Sequence, residues 1–150
     1  MSRSLTQGSR WLWALAAAGV AVGCARPEAT VAAAPSAACE ARDASFVRDL
    51  LYFGRNRPNG GEVADAEWEG FLDEVVTPKF PDGLTIVEAH GRWRGRSGIV
   101  EHERTELVTV LHPADSVSQR AVEEIAMEYK RHFGQEAVLR ERLAVCTRFF

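Results

Sequence analysis

Large apolar residues in the second two-thirds of the chain fall into two rhythms, one suited to strands and one to helices. Ser45 to Gly54 (SFVRDLLYFG) is dense in them and stops at Gly-Arg-Asn-Arg-Pro-Asn-Gly-Gly. That pattern predicts a strand followed by a loop, because Pro, Asn and paired Gly favour turn dihedrals. Trp68, Phe71, Leu72, Val75 and Val76 then recur at helical spacing and form one stripe. Asp65 is placed to cap this helix, Glu67 and Glu69 suit its first turn, and Pro78 marks its end. Phe80-Pro81-Asp82-Gly83 reads as a turn. Leu84 to Arg94 and Ile99 to His112 read as two strands joined by the short connection Gly95-Arg96-Ser97-Gly98.

After Pro113, Ser116 or Ser118 can cap a second helix with the stripe Val122, Ile125, Ala126, Tyr129 and Phe133. Its charge runs from Glu123 and Glu124 to Lys130 and Arg131, as the helix dipole prefers, and Gly134 closes it. Val138 to Phe150 supplies a last strand. The order β-α-β-β-α-β is that of the ferredoxin-like, split-βαβ plan, an α+β architecture with two helices on one face of a four-stranded antiparallel sheet. In that plan the first and last strands are neighbours, which places Cys39 near Cys146. In an oxidising compartment the two would bridge. The alternative is a pair of free thiols, with Cys146 packed as a small hydrophobe.

The first 38 residues follow neither rhythm. Arg3 and Arg10 precede the uncharged run Trp11 to Val22. As a helix that run spans about 18 Å, short of a hydrocarbon core of roughly 30 Å, so it reads as a secretory leader. Ala21-Val22-Gly23-Cys24 resembles a bacterial lipobox, in which the cysteine carries diacylglycerol and becomes the new N-terminus. Ala21 stands where such boxes usually have Leu, and cleavage elsewhere with ordinary secretion is the alternative. Ala25, in place of an Asp, points to the outer membrane of a Gram-negative host. Arg26 to Ala38 is Ala- and Pro-rich and cannot bury a core. The chain therefore divides into a leader (1–23), a lipidated Cys24 with a tether (24–44), and one domain (45–150).

Composition narrows the function classes. The 150 residues carry 18 Lys+Arg against 21 Asp+Glu, a formal charge of −3, and loss of Arg3 and Arg10 leaves the mature chain more acidic. No basic surplus marks a nucleic-acid footprint. Apolar residues at 46% and charged ones at 26% argue against wholesale disorder. Three cysteines are too few for a disulfide-built miniprotein or a four-ligand zinc module.

Candidate chemistry is thin. His90, His102, His112 and His132 show no metal-ligand spacing, and Glu101-His102-Glu103 lacks the helical spacing of a zinc protease. If Arg92 lies opposite residue 101 or 103, then His90, Arg92 and Arg94 share a face with Glu101 and Glu103. His102 and Arg104 would then point the other way, and the hairpin tip would be a solvated run of alternating charge. No G-x-S-x-G is present. Gly54 to Gly61, with Arg55 and Arg57, could cradle an anion as a nest of N–H groups, or simply connect a strand to a helix. Leu50-Leu51-Tyr52-Phe53 shows little polar alternation, which favours burial of both sheet faces and hence a homodimer.

Leu51-Tyr52-Phe53-Gly54-Arg55, Trp68 with Phe71-Leu72, and Thr77 to Thr85 (TPKFPDGLT) together resemble the bacterial exported domain-of-unknown-function family 3574. Gly91-Arg92-Trp93-Arg94-Gly95, His112-Pro113, Tyr129-Lys130 and Phe133-Gly134-Gln135-Glu136 extend the likeness across residues 45–150. The resemblance implies an exported or lipid-anchored domain and carries no reaction, substrate or cofactor. Its recurrent residues here are Arg55, Lys79, Asp82, Trp93, Arg94, Gln135 and Glu136. Two expectations follow. One is a non-catalytic envelope lipoprotein that binds a partner or ligand, held to the membrane through Cys24. The other is a dimeric periplasmic enzyme or small-ligand binder, with Arg55 or Arg94 holding an anionic substrate and His90 or Glu136 as acid or base.

Overall fold

A computed structural model describes residues 39–150; the leader, Cys24 and most of the tether lie outside the described residues. The strands are β1 (Ala44–Gly54), β2 (Leu84–Arg94), β3 (Val100–His112) and β4 (Leu139–Thr147). They form one antiparallel sheet in the order β2-β3-β1-β4. Helices α1 (Asp65–Phe71) and α2 (Ser116–Phe133) cover one face, as the ferredoxin-like plan requires. Alternation along β1 sends Leu51 and Phe53 into the core and leaves Leu50 and Tyr52 on the open face.

Phe53 is the hub of the core. Its ring lies 4.7 Å from that of Tyr129 and 5.4 Å from that of Trp68, while Phe71 packs between the two helices against Phe133 at 5.9 Å. The helical stripes meet here, with Val122, Ile125 and Tyr129 fully buried. Among the described residues, no helix is long and apolar enough to cross a membrane.

Both helix starts differ from expectation. Ala64, not Asp65, is the α1 N-cap, and Glu67 reaches back to accept from the Ala64 N–H at 2.9 Å. Asp65 is thereby free to face Arg55. The helical path also runs on past Phe71, through a wide turn at Leu72–Val76 and a tight one at Thr77–Lys79, so Pro78 sits inside the last turn. The α2 cap is Asp115 rather than either serine, because its Oδ1 accepts from the N–H of Val117 at 2.8 Å and of Ser118 at 2.7 Å. Gly134 closes α2 with φ +71°, a conformation that leaves the chain free to turn back across the sheet end.

Neighbouring β1 and β4 bring Ser45 opposite Cys146, and the Cys39–Cys146 disulfide is formed. Arg148 ties the same corner by bonding to Glu40 and Asp43. Residues 39–150 thus carry their own core, caps and covalent closure, and make up a self-contained folding unit.

The β2–β3 register overturns one expectation. Arg92 pairs with His102, not with residue 101 or 103. Ile99 belongs to the connection rather than to the strand, since the tight turn from Gly95 to Gly98 is followed by one more residue before Val100. A one-residue shift exchanges the faces of a strand. His90, Arg92 and Arg94 therefore share the helix-side face with His102 and Arg104. Glu101 and Glu103 lie on the open face with Gly91 and Trp93.

Candidate functional site

The last residue of β1 paired with β3 is Gly54, opposite Thr105. Beyond it β2 and β3 continue as a two-stranded arm. Where the arm leaves the sheet, the open face carries a cavity of about 520 Å³. Tyr52, Trp93 and Leu139 supply apolar wall, and Glu101, Glu103 and Glu136 supply carboxylates. The segment after α2 crosses its rim. Gln135 Nε2 donates to the Asn56 carbonyl at 2.6 Å, and Glu136 Oε2 accepts from the Arg96 N–H at 3.2 Å.

Glycines make the floor. A Cβ at Gly54 would collide with the Glu103 carboxylate, its Cδ standing 2.6 Å away. A Cβ at Gly91 would lie 2.6 Å from Thr105 Oγ1. Small residues inside strands commonly mark such a close approach. Tyr129 completes the floor from below, its hydroxyl donating to the Gly54 carbonyl at 2.9 Å. Burial pushes the Tyr129 phenol far above its ordinary pKa, so it stays protonated.

Glu103 has no cationic partner among the described residues. Loss of water raises its carboxyl above the ordinary glutamate value, the nearby Glu101 charge adds to this, and the Asn56 backbone N–H opposes it. Thr105 is 6% exposed, and its Oγ1 has no hydrogen-bond partner. A buried hydroxyl left unpaired costs about 1–3 kcal/mol. A half-desolvated carboxylate and an unpaired hydroxyl therefore sit side by side under an aromatic wall.

Of the arginines expected to hold an anion, Arg55 and Arg57 are already committed to protein partners. Arg55 is 0% exposed. Its guanidinium donates to the Val63 carbonyl at 2.6 and 2.9 Å, to Glu106 at 2.7 Å and to Asp65 at 2.9 Å. Arg57 borders the cavity but grips both carboxylate oxygens of Glu67 at 2.7 Å. The glycine loop closes on itself, with Gly60 and Gly61 at positive φ and the Arg57 N–H given to the Gly61 carbonyl at 2.9 Å. His90 and Arg94 lie on the other face of the arm from Glu103. Of the expected ligand-binding set, Arg57 and Glu136 line the cavity, and among the described residues Glu136 is in no ion pair.

Of the recurrent residues, Trp93, Gln135 and Glu136 meet at the cavity, whereas Lys79 pairs with Glu124 elsewhere. His112 is buried between Asp49 Oδ2 at 2.8 Å and the Pro113 carbonyl at 2.7 Å, away from the cavity. Among the described residues, no three His, Cys, Asp or Glu side chains converge as metal ligands. Glu103 and Thr105 were missed as site residues. Their signal in the sequence was the pair of glycines inside predicted strands, Gly54 and Gly91.

Comparison with known proteins matches residues 48–149 to the family described as "Protein of unknown function (DUF3574)". Among solved structures, a phage SAM lyase in complex with S-methyl-5'-thioadenosine is similar at TM-score 0.53 and 15% identity, covering 68% of this chain and 88% of that one. CutA from Synechococcus elongatus, complexed with a Bis-Tris molecule, is similar at TM-score 0.47 and 8% identity, covering 71% and 87%. The lyase likeness agrees with the ferredoxin-like α+β fold.

Proposed function

The chain belongs to the DUF3574 family, and we propose that its domain is a cell-envelope binding module whose cavity takes a small organic cation bearing a flat apolar group. The carrying observation is Glu103. Its carboxylate is held against Gly54 at the edge of a roomy cavity, short of water and without a counter-charge. A ligand ammonium would supply that charge, and such charge-assisted hydrogen bonds are the strong ones. Thr105 offers a hydroxyl beside it, and the Trp93 face suits either an aromatic ring or a cation. An anionic ligand would meet Glu101, Glu103 and Glu136, and of the two arginines that line the cavity Arg57 is gripped by Glu67 while Arg92 stands at a helix-side strand position.

In this reading the protein is exported and held to the outer membrane through lipidated Cys24. The open face also pairs with a second copy, for which the support is a run of exposed apolar side chains: Val87, Leu111, Leu139 and Leu143. A second sheet laid on that face would roof the cavity. One observation favours a catalytic variant of the same site: a carboxyl with a raised pKa in a cavity is suited to proton transfer.

A matched ligand set tests the proposal. Residues 39–150 are titrated with phenethylammonium, with phenylacetate as its anionic counterpart, and with S-methyl-5'-thioadenosine as a neutral nucleoside. The melting temperature is followed throughout. Stabilisation by the cation and not by phenylacetate is expected. Stabilisation by phenylacetate, or by none of the three, contradicts the charge assignment.

A further inference from the structure

Once the register is known, the arm has two chemically different sides. Beyond the Gly54–Thr105 pair, the open side carries Glu101 and Glu103. The helix side carries His90, Arg92, Arg94 and His102, all exposed. Arg96 is exposed at the turn. Among the described residues, Arg92, Arg94 and Arg96 have no carboxylate within ion-pair distance. Arg104 at the base is committed to Asp65 and Glu88, at 2.9 Å each. In a chain of formal charge −3, this is a local concentration of free positive charge. The arm's end is apolar: Val100, opposite Arg94 on this side, is 43% exposed, and Ile99 in the adjoining connection is 67% exposed.

We infer that the helix-side face of the β2–β3 arm docks on an anionic lipid bilayer, its arginines on headgroup phosphates and Ile99 with Val100 in the interface. Two observations select a bilayer over a soluble polyanion. The cations sit along one side of a narrow arm, where long guanidinium side chains can spread to a flat surface. The aliphatic tip has no use against a phosphate or sugar chain, but gains from entering the acyl boundary. Arg92 also borders the cavity, but Arg94 and Arg96 do not line it, and the face lies opposite the open sheet face, so covering that face leaves these arginines accessible. The inference does not depend on the cavity's ligand.

The test is flotation of residues 39–150 with phosphatidylcholine vesicles, with and without phosphatidylglycerol, and with heparin as a soluble polyanion. Each cation near an anionic surface contributes about fivefold to binding. The triple variant Arg92→Gln, Arg94→Gln, Arg96→Gln should therefore bind phosphatidylglycerol vesicles on the order of a hundredfold more weakly. Ile99→Ser with Val100→Ser should cost about tenfold. All five positions are exposed, so melting should be unchanged. The charge-matched control Arg120→Gln, Lys130→Gln, Arg131→Gln should bind as the parent does. Equal binding to pure phosphatidylcholine, or retention of binding in the arm triple variant, overturns the inference. Arginine-dependent heparin binding as strong as vesicle binding and indifferent to the Ile99 and Val100 changes replaces the bilayer with a soluble polyanion.

Discussion

Replacing Arg55 by methionine keeps an unbranched apolar stem and removes a fully buried guanidinium. Glu106, 4% exposed, then loses its 2.7 Å partner and keeps only Arg104 at 3.7 Å. Leaving one half of a buried ion pair uncompensated costs about 3–5 kcal/mol. The Val63 carbonyl loses both of its donors from Arg55, which adds about 1–3 kcal/mol. The Asp65 contact is solvent-exposed on the acid side and contributes under about 1 kcal/mol. Because Arg104 softens the first cost, the total should be about 4 kcal/mol. For a domain of this size that lowers the melting temperature by roughly 15 °C. Urea unfolding at pH 7, read by near-ultraviolet circular dichroism, measures it, since the guanidinium lies 5.7 Å from the Trp68 ring. Adding Glu106→Leu should restore at least half of the loss, because the double variant buries no unpaired charge. A loss under about 1 kcal/mol in the single variant, or no recovery in the double, would refute this account of Arg55.

Three further outcomes are expected. The Cys39–Cys146 bridge closes a loop with a sequence separation of 107, so Cys39→Ser with Cys146→Ser should cost about 2–5 kcal/mol in urea unfolding. Alkylation of the native protein without reductant should leave both cysteines unmodified. At Asp49, burial disfavours the carboxylate, but hydrogen bonds from Arg140 and His112 outweigh it and hold the pKa below the ordinary 3.8. A depressed acid contributes stability present above its unfolded pKa and lost as pH falls through the folded one. Asp49→Asn should therefore be less stable at neutral pH but should flatten the acid limb below about pH 4. Glu103 has the opposite sign. Its raised pKa means that ionisation opposes folding above the ordinary 4.5, so Glu103→Gln should melt higher than the parent at pH 7 and at the same temperature near pH 3. A lower melting point at pH 7 would show that Glu103 is a structural carboxylate.

The fold was legible because its determinants are local. Two helical stripes, a glycine after each strand or helix that turns sharply, and apolar runs of strand length suffice for the order β-α-β-β-α-β. That order in turn placed Cys39 beside Cys146. The site was less legible because it depends on a register, and the register depends on whether Ile99 extends β3 or belongs to the turn. Either choice leaves an acceptable apolar pattern, yet it decides whether Glu103 faces arginines or an open cavity. Arg55 was misread for a related reason. A connector arginine reads as solvated, and only Glu106, an acid at a core-facing position between Arg104 and Val108, signals that a buried cation must meet it. Gly54 and Gly91 read as parts of family motifs, and Gly54 also as the start of a loop. Their use, as space for Glu103 and Thr105, is visible only when the strands are laid side by side.

In the proposed function Glu103 is the anchor for a cationic ligand. Phenethylammonium is titrated into isotopically labelled residues 39–150 at pH 7, and the Trp93 indole and Thr105 amide resonances are followed. The parent should show saturable shifts at both positions. Glu103→Gln should keep the same dispersed spectrum and lose those shifts, and the parent should lose them as acid protonates Glu103. Saturable binding of equal strength in Glu103→Gln, or shifts that avoid Trp93 and Thr105 altogether, would contradict the claim.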